Sequence, residues 1–96
     1  MPEIELTPLA KADLIEIWHY GFSQWGEVQA DTYLLGLEEA IQSLADNPRI
    51  GVSIDDIRSG CRQYTFRKHL IIYRLNGDRL IILRVLRVET DRPRHI

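Results

Sequence analysis

The side chains able to attack an electrophile, hold phosphate or move a proton are few in this chain, and they are unevenly placed. Histidines stand at 19, 69 and 95, serines at 23, 43, 53 and 59, and a single cysteine at 61. The histidines have no metal-ligand spacing, and one cysteine excludes an internal disulfide or a Cys-rich zinc site. No glycine-rich phosphate loop, Gly-x-Ser-x-Gly elbow or His-Glu-x-x-His occurs, and the serines lack a nucleophile context. Arg62 beside Cys61 would lower a thiol pKa. Free cysteines are usually just buried, so Cys61 reads as a small semi-buried strand residue. His69 falls at a strand start near Arg84 and His95 lies in the tail; His19 belongs on the wet side of a helix. Neither a metal nor a cofactor is expected.

Arginine is the more informative group. The chain has 96 residues and a formal net charge of −2, which conceals a split. Residues 1–48 hold Lys11 against nine acidic residues, a net −8, whereas residues 49–96 hold eleven basic residues against five acidic ones, a net +6. Ten of the twelve basic residues are arginines, all after Pro48. Their planar forks suit carboxylates, phosphates and aromatic faces. Near-neutrality argues against indiscriminate coating of nucleic acid, which goes with a basic domain. A local anionic contact in the second half stays open.

The elements that must position these groups follow from hydrophobic period. Residues 3–7 alternate, with Ile4 and Leu6 on one face, as in a half-buried strand. Thr7-Pro8 is a helix start, since Thr caps orphan amides and Pro suits the first helical position. Ala10, Leu14, Ile17, Trp18, Gly21, Phe22 and Trp25 recur at helical spacing, and Gly26 ends the run. Trp18 and Trp25 are two turns apart; Trp18 is expected in the core, and Trp25 is open to a partner. A second helix carries Ala30, Tyr33, Leu34, Leu37, Ile41, Leu44 and Ala45 on one stripe and stops at Asp46-Asn47-Pro48. So short a join predicts an antiparallel helical hairpin.

Beyond Pro48 the period becomes two. Arg49–Asp56 reads as loop, Ile57–Gly60 as a short strand or turn, and Arg62–Arg67 as a strand. His69–Leu75 and Arg79–Arg87 are strong strands around Asn76-Gly77, a strong hairpin signal. Parity puts Leu70, Ile72, Ile81, Leu83 and Val85 towards the helices. It puts His69, Ile71, Tyr73, Leu80, Ile82, Arg84 and Leu86 on the opposite, open face. The tail after Leu86 reads as short and polar. The expected architecture is α+β, β-α-α-β-β-β, an antiparallel or mixed sheet with the helical hairpin packed on one face. Residues 1–96 are expected to form a single domain. The longest apolar run, Leu70-Ile71-Ile72-Tyr73, cannot span a bilayer. The acidic, alternating start is not a secretory signal. A soluble, cytoplasmic protein is expected.

Taken in order, several stretches resemble the ParE toxins of the RelE/ParE toxin–antitoxin superfamily over essentially the whole chain. They are Leu6-Thr7 with Ala10, Ala12-Asp13-Leu14, Ile17-Trp18, Trp25-Gly26, Gln29-Ala30 with Tyr33, Leu44-Ala45 and Pro48. Later come Ile57-Arg58, Gly60, Arg62, His69, Ile72-Tyr73-Arg74, Ile82-Leu83-Arg84-Val85-Leu86, Asp91 and Arg94-His95-Ile96. Two positions depart from the family pattern: Arg87 stands where His is common, and Thr90 where Met is common before the tail aspartate.

The resemblance implies a bacterial toxin that inhibits DNA gyrase by binding, not by catalysis, and is neutralised by a ParD-like antitoxin. It implies contact with operator DNA only indirectly, through the antitoxin, in a complex that represses its own operon. No membrane partner is implied. Arg84, Arg87, Asp91, Arg92, Arg94 and His95 are the expected target-contact residues. Ile17, Trp18, Phe22, Trp25, Tyr33, Arg62, Arg67 and Tyr73 are the expected antitoxin-contact residues. Two alternatives stand beside it. A RelE-like ribosome-dependent mRNA endonuclease would use Arg84, His69 and His95. An inactivated toxin acting only as corepressor would fit the replacement at Arg87.

Overall fold

The structure is a computed structural model that describes residues 2–96. It runs β1 (Glu3–Leu6), α1 (Pro8–Trp25), α2 (Glu27–Asp46), β2 (Val52–Ser53), β3 (Cys61–Phe66), β4 (His69–Asn76), β5 (Arg79–Arg87) and α3 (Arg92–His95). The strands form one sheet in the order β1-β5-β4-β3-β2. β1 pairs parallel with β5, and every other pairing is antiparallel. This is the expected mixed α+β architecture, with a two-residue strand and a one-turn helix added. Neither addition has a periodic signature: β2 exists only by pairing with Arg62 and Gln63, and α3 only where the tail is held down.

Helix boundaries follow local chemistry. The Thr7 hydroxyl accepts from the Ala10 amide at 3.0 Å, with Pro8 next, so α1 starts capped. Gly26 alone separates α1 from α2, and the amide of Asn47 closes α2 onto Ser43 O before Pro48. The hairpin and one sheet face enclose the main core. Leu37, Ile41 and Leu44 of α2 and Ala10 of α1 meet Ile71, Tyr73, Leu80, Ile82 and Val85, with Ile4 and Leu6 of β1 at its border. Fully burying one such leucine stabilises by roughly 1.5–3 kcal/mol.

The sheet faces are therefore the reverse of those the parity argument predicts for β4 and the first half of β5. Two physical facts explain it. First, both faces are apolar: Leu70, Ile72 and Leu86 form a second cluster on the opposite face with Ile54 and Cys61, against which Ile57, Leu83 and Ile96 pack. Composition alone could not choose between them. Second, Tyr73 is not the exposed open-face residue expected but is fully buried among the helices. Its hydroxyl donates to Pro48 O at 2.6 Å and accepts from the Gly51 amide at 3.0 Å, so its polar end is satisfied inside. Gly51 lies so close that a Cβ there would also meet Gln63 O at 2.8 Å.

Parity then fails a second time within β5. Ile72 pairs with Arg84 and Tyr73 with Ile82, leaving Leu83 as an extra residue in a bulge. Such an insertion shifts every later side chain to the other face. Val85 thus joins the helix-side core and Leu86 the outer cluster. Among the described residues no helix is long and apolar enough to cross a membrane.

Tyr73→Phe tests the internal anchor. It leaves the Gly51 amide and the Pro48 carbonyl without their partner, a loss of roughly 1–3 kcal/mol. At about 4–8 °C per kcal/mol for a domain of this size, thermal unfolding should shift down by roughly 5–20 °C.

Candidate functional site

Arg84, one of the expected target-contact residues, is committed to a contact within the fold. β1 ends at Leu6, opposite Ile82, so the edge of β5 beyond that point has no strand partner. The edge is completed instead by Thr7 and α1. The Thr7 amide donates to Ile82 O at 3.1 Å, its hydroxyl donates to Leu83 O at 2.7 Å, and Asp13 Oδ2 accepts from the Val85 amide at 2.9 Å. Arg84 then grips the same carboxylate as a fork, Nε to Oδ2 at 2.8 Å and Nη2 to Oδ1 at 2.9 Å. Both side chains are mostly buried, at 17% and 11% exposure for Arg84 and Asp13. The hydrogen bonds it donates to Asp13 raise the Arg84 guanidinium above its ordinary value, so it stays charged.

The remaining Arg84 nitrogen, Nη1, donates to His95 O at 3.2 Å and thereby holds the tail. Two further grips fix α3: Arg58 Nη1 donates to Ile96 O at 3.0 Å, and Arg92 Nη1 to Gln63 Oε1. Between tail, β5 and the start of α1 lies an open cavity of about 430 Å³, lined among others by Thr7, Arg58, Arg84, Arg94 and His95. Arg94 and Asp91 pair loosely at 3.6 Å and are exposed, as is His95. Of the six tail-side candidates, the structure thus places Arg84, Arg94 and His95 in one cavity lining, whereas Arg92 is tied to Gln63 and Asp91 pairs with Arg94, neither of them part of that lining.

Arg87 lies apart from them. It is exposed, pairs with Glu89 at 2.8 Å, and stands 5.4 Å over the Tyr20 ring of α1. His69 also turns to the helix side, where its Nδ1 and the Tyr33 hydroxyl share a 2.6 Å hydrogen bond. Burial, and then the nearby Arg87 charge, push the His69 pKa below 6.5, while burial raises the Tyr33 hydroxyl. Arg84, His69 and His95 are therefore not brought into one constellation. Cys61 is buried, and burial raises its thiol further. Among the described residues no three His, Cys, Asp or Glu side chains are grouped to hold a metal ion.

A second surface lies on the outside of the helical hairpin. Leu14, Ile15 and Trp18 of α1 and Leu34 and Glu38 of α2 line an apolar groove of about 340 Å³. Trp18 is half-buried here and not in the core as expected; its indole N–H donates to Asp31 at 2.7 Å and its ring stacks on Phe22. Phe22 and Trp25 are exposed, at 49% and 59%. Ile17 and Tyr33 pack instead towards the main core, Tyr73 is inside it, and Arg62 is tied to Gly51 O at 2.7 Å. Arg67 sits in the β3–β4 turn and does not line the groove. Sequence reasoning missed Asp13 and Ile15. Asp13 stands alone on a buried stripe, which was its signal; Ile15, Trp18 and Phe22 share a face at three- and four-residue spacing.

Two measurements test this site. Asp13→Ala leaves Arg84 unpaired and mostly buried, a loss of roughly 3–5 kcal/mol of stability. A double-mutant cycle with Arg84→Met should recover part of it. For His69 the folded pKa lies below the unfolded one, so the unfolded chain takes up a proton first as pH falls. Stability should decline as pH drops below about 6.5, and His69→Gln should flatten that decline in melts taken from neutral pH to about pH 5.

Comparison with known proteins agrees with this architecture. Residues 4–92 match the model of a family described as the ParE toxin of the type II toxin–antitoxin system parDE. The chain is 41% identical over 92 residues to Toxin ParE1 of Mycobacterium tuberculosis, covering 95% of this chain and 94% of that one. It is 34% identical over 96 residues to Toxin ParE1 of Caulobacter vibrioides, covering 100% and 99%. Among solved structures it is similar to a chain of the chromosomal ParDE system from P. aeruginosa, with TM-score 0.82, 25% identity and coverage of 93% and 98%. A chain of the YoeB–YefM complex from Staphylococcus aureus shares the fold at TM-score 0.57, 15% identity and coverage of 90% and 95%. With a capped helical hairpin on a β1-β5-β4-β3-β2 sheet and a family match over nearly its whole length, the chain belongs to the ParE toxin family of type II toxin–antitoxin systems.

Proposed function

We propose that this toxin acts by binding, inhibits DNA gyrase in the cytoplasm, and is neutralised by a ParD-like antitoxin that docks on the helical hairpin. The observation that carries the antitoxin half is the outward apolar groove of Leu14, Ile15, Trp18 and Leu34, with Ile15 61% exposed. An amphipathic helix laid in such a groove buries anchors at three- and four-residue spacing. Residues 1–96 act as one toxin domain. Operator DNA is reached through the antitoxin, and the complex represses its own operon.

The target half is assigned to the tail. Arg94 and His95 line the cavity, Arg92 lies on the same one-turn helix with Asp91 at its start, and Arg84 sets where the tail lies. Binding through exposed arginines needs no acid–base pair, and a single arginine anchor is commonly worth 2 kcal/mol or more, about thirtyfold in affinity. A second reading, ribosome-dependent mRNA cleavage, is favoured only by Arg84 and His95 meeting in that cavity.

The expected outcomes separate these statements. Trp18→Glu should weaken antitoxin binding by at least about tenfold while gyrase inhibition persists, since a charge there must be desolvated in the groove. A paired Arg92→Glu, Arg94→Glu variant should retain antitoxin binding and lose inhibition of supercoiling. Full supercoiling in the presence of excess wild-type toxin, with His95-dependent cleavage on translating ribosomes, would transfer the reading to the nuclease.

A further inference from the structure

One end of the molecule, reaching from the β3–β4 turn to Trp25 at the end of α1, carries a further feature. It is a ladder of cations and aromatic rings. Arg67 stands 5.6 Å over the Phe66 ring, and Phe66 meets Tyr33 edge-on at 5.5 Å. Tyr33 meets His69 at 5.4 Å, and His69 pairs across the sheet with Arg87. Arg87 stands over Tyr20, whose ring meets Trp25 edge-on at 6.0 Å. Arg67, Lys68, Arg87, Tyr20 and Trp25 are all exposed. Arg67 and Lys68 have no ion-pair partner among the described residues.

The backbone shows that Arg67 is costly to place. Phe66 pairs with His69, so Arg67-Lys68 forms a two-residue hairpin turn, and Arg67 is in the left-handed region at φ 52°. That conformation suits glycine or asparagine and strains a long side chain. The same sheet contains the cheaper solution, because the β4–β5 turn places Gly77 at φ 61°. Folding alone therefore does not account for arginine at this position. Strain of this kind persists where the side chain has another task.

We propose that this cationic–aromatic end binds single-stranded nucleic acid, with Trp25 and Tyr20 stacking bases and Arg67, Lys68 and Arg87 neutralising phosphates. Exposed rings interleaved with cations are the chemistry of sequence-tolerant single-strand binding, because every base has a face to stack. Arg67 and Lys68 carry no carboxylate partner among the described residues, so their charge is open to phosphate, and the apolar groove of the hairpin lies elsewhere. Arg87 pairs with Glu89 in an exposed contact that a phosphate can replace. A flexible strand can follow the cations and avoid the acidic helices.

The test is fluorescence anisotropy of the full chain with a labelled oligothymidine of about twenty nucleotides, longer than the roughly 4–16 nucleotides such sites cover. Saturable binding at low salt is expected, with a log–log salt slope near −2 for three phosphates neutralised. Trp25→Ala should weaken it at least about fivefold, the lower bound for one stacked base. Arg67→Gly is the sharper variant: it should weaken binding while leaving thermal stability unchanged or higher, because the strain is relieved. No saturable binding overturns the proposal, as does binding that neither variant changes or that a duplex of equal length matches. Loss of protein-partner binding in these variants, with no oligonucleotide bound by the wild type, also overturns it and assigns the end to an acidic protein segment.

Discussion

The Asp13 carboxylate joins helix, strand and tail, three parts of the chain that lie far apart in sequence. It completes the edge of β5 where β1 stops, fixes α1 against that edge, and orients Arg84, whose last nitrogen holds the tail. The partners are 71 and 72 residues apart in sequence, so the contact closes the fold. A buried pair of this kind adds little net stability over apolar neighbours, yet it is costly to break on one side. Its value here is geometric: it specifies where helix, strand and tail must sit. The exposed Glu5–Arg79 pair spans the same β1–β5 seam at 2.9 Å and, being solvent-screened, contributes far less.

The charge split has a structural consequence at this seam. The acidic half forms β1 and the hairpin, and the basic half forms the rest of the sheet and the tail. The two halves meet through Asp13–Arg84 and Glu5–Arg79, which join helix or strand carboxylates to β5 arginines. Most other charges stay on their own side. The bulge at Leu83 then divides β5 itself. Arg84 wraps its edge to Asp13, while Arg87, three residues on, lies over Tyr20 of α1. One strand thus serves two surfaces.

Much of this was legible in the sequence where local chemistry decides the outcome. Thr7-Pro8, Gly26 and Asn47-Pro48 bound the helices because caps and proline act within a few residues. Asn76-Gly77 marked the β4–β5 hairpin for the same reason. The sheet faces were not legible, because both are apolar and the choice rests on Tyr73 finding Pro48 and Gly51, more than twenty residues away. The bulge, β2 and α3 arise only from pairing and from the arginine grips on the tail. At the candidate site, helical spacing put Phe22 and Trp25 on the apolar stripe with Ala10 and Leu14, and it did not show that both would be exposed. Nor did it show the commitment of Arg84, which depends on β1 being four residues long and stopping short of Val85.

The hairpin groove and the tail cavity differ in the sign of their rims, and this constrains anything that would cover both. The hairpin groove is apolar with Glu38 in its wall and Asp31 held beside it by Trp18. The tail cavity is bordered by Arg58, Arg84 and Arg94. An apolar segment with basic flanks suits the first and is repelled at the second; an acidic segment behaves in the opposite way. A single chain that occupies both must therefore change sign along its length, basic over the hairpin and acidic over the tail. Two separate partners of opposite sign can occupy them together unless their bulk overlaps. Competition between partners is then decided by size and reach as much as by shared contacts, and the Asp13–Arg84 pair, by fixing the tail relative to α1, sets the distance they must span.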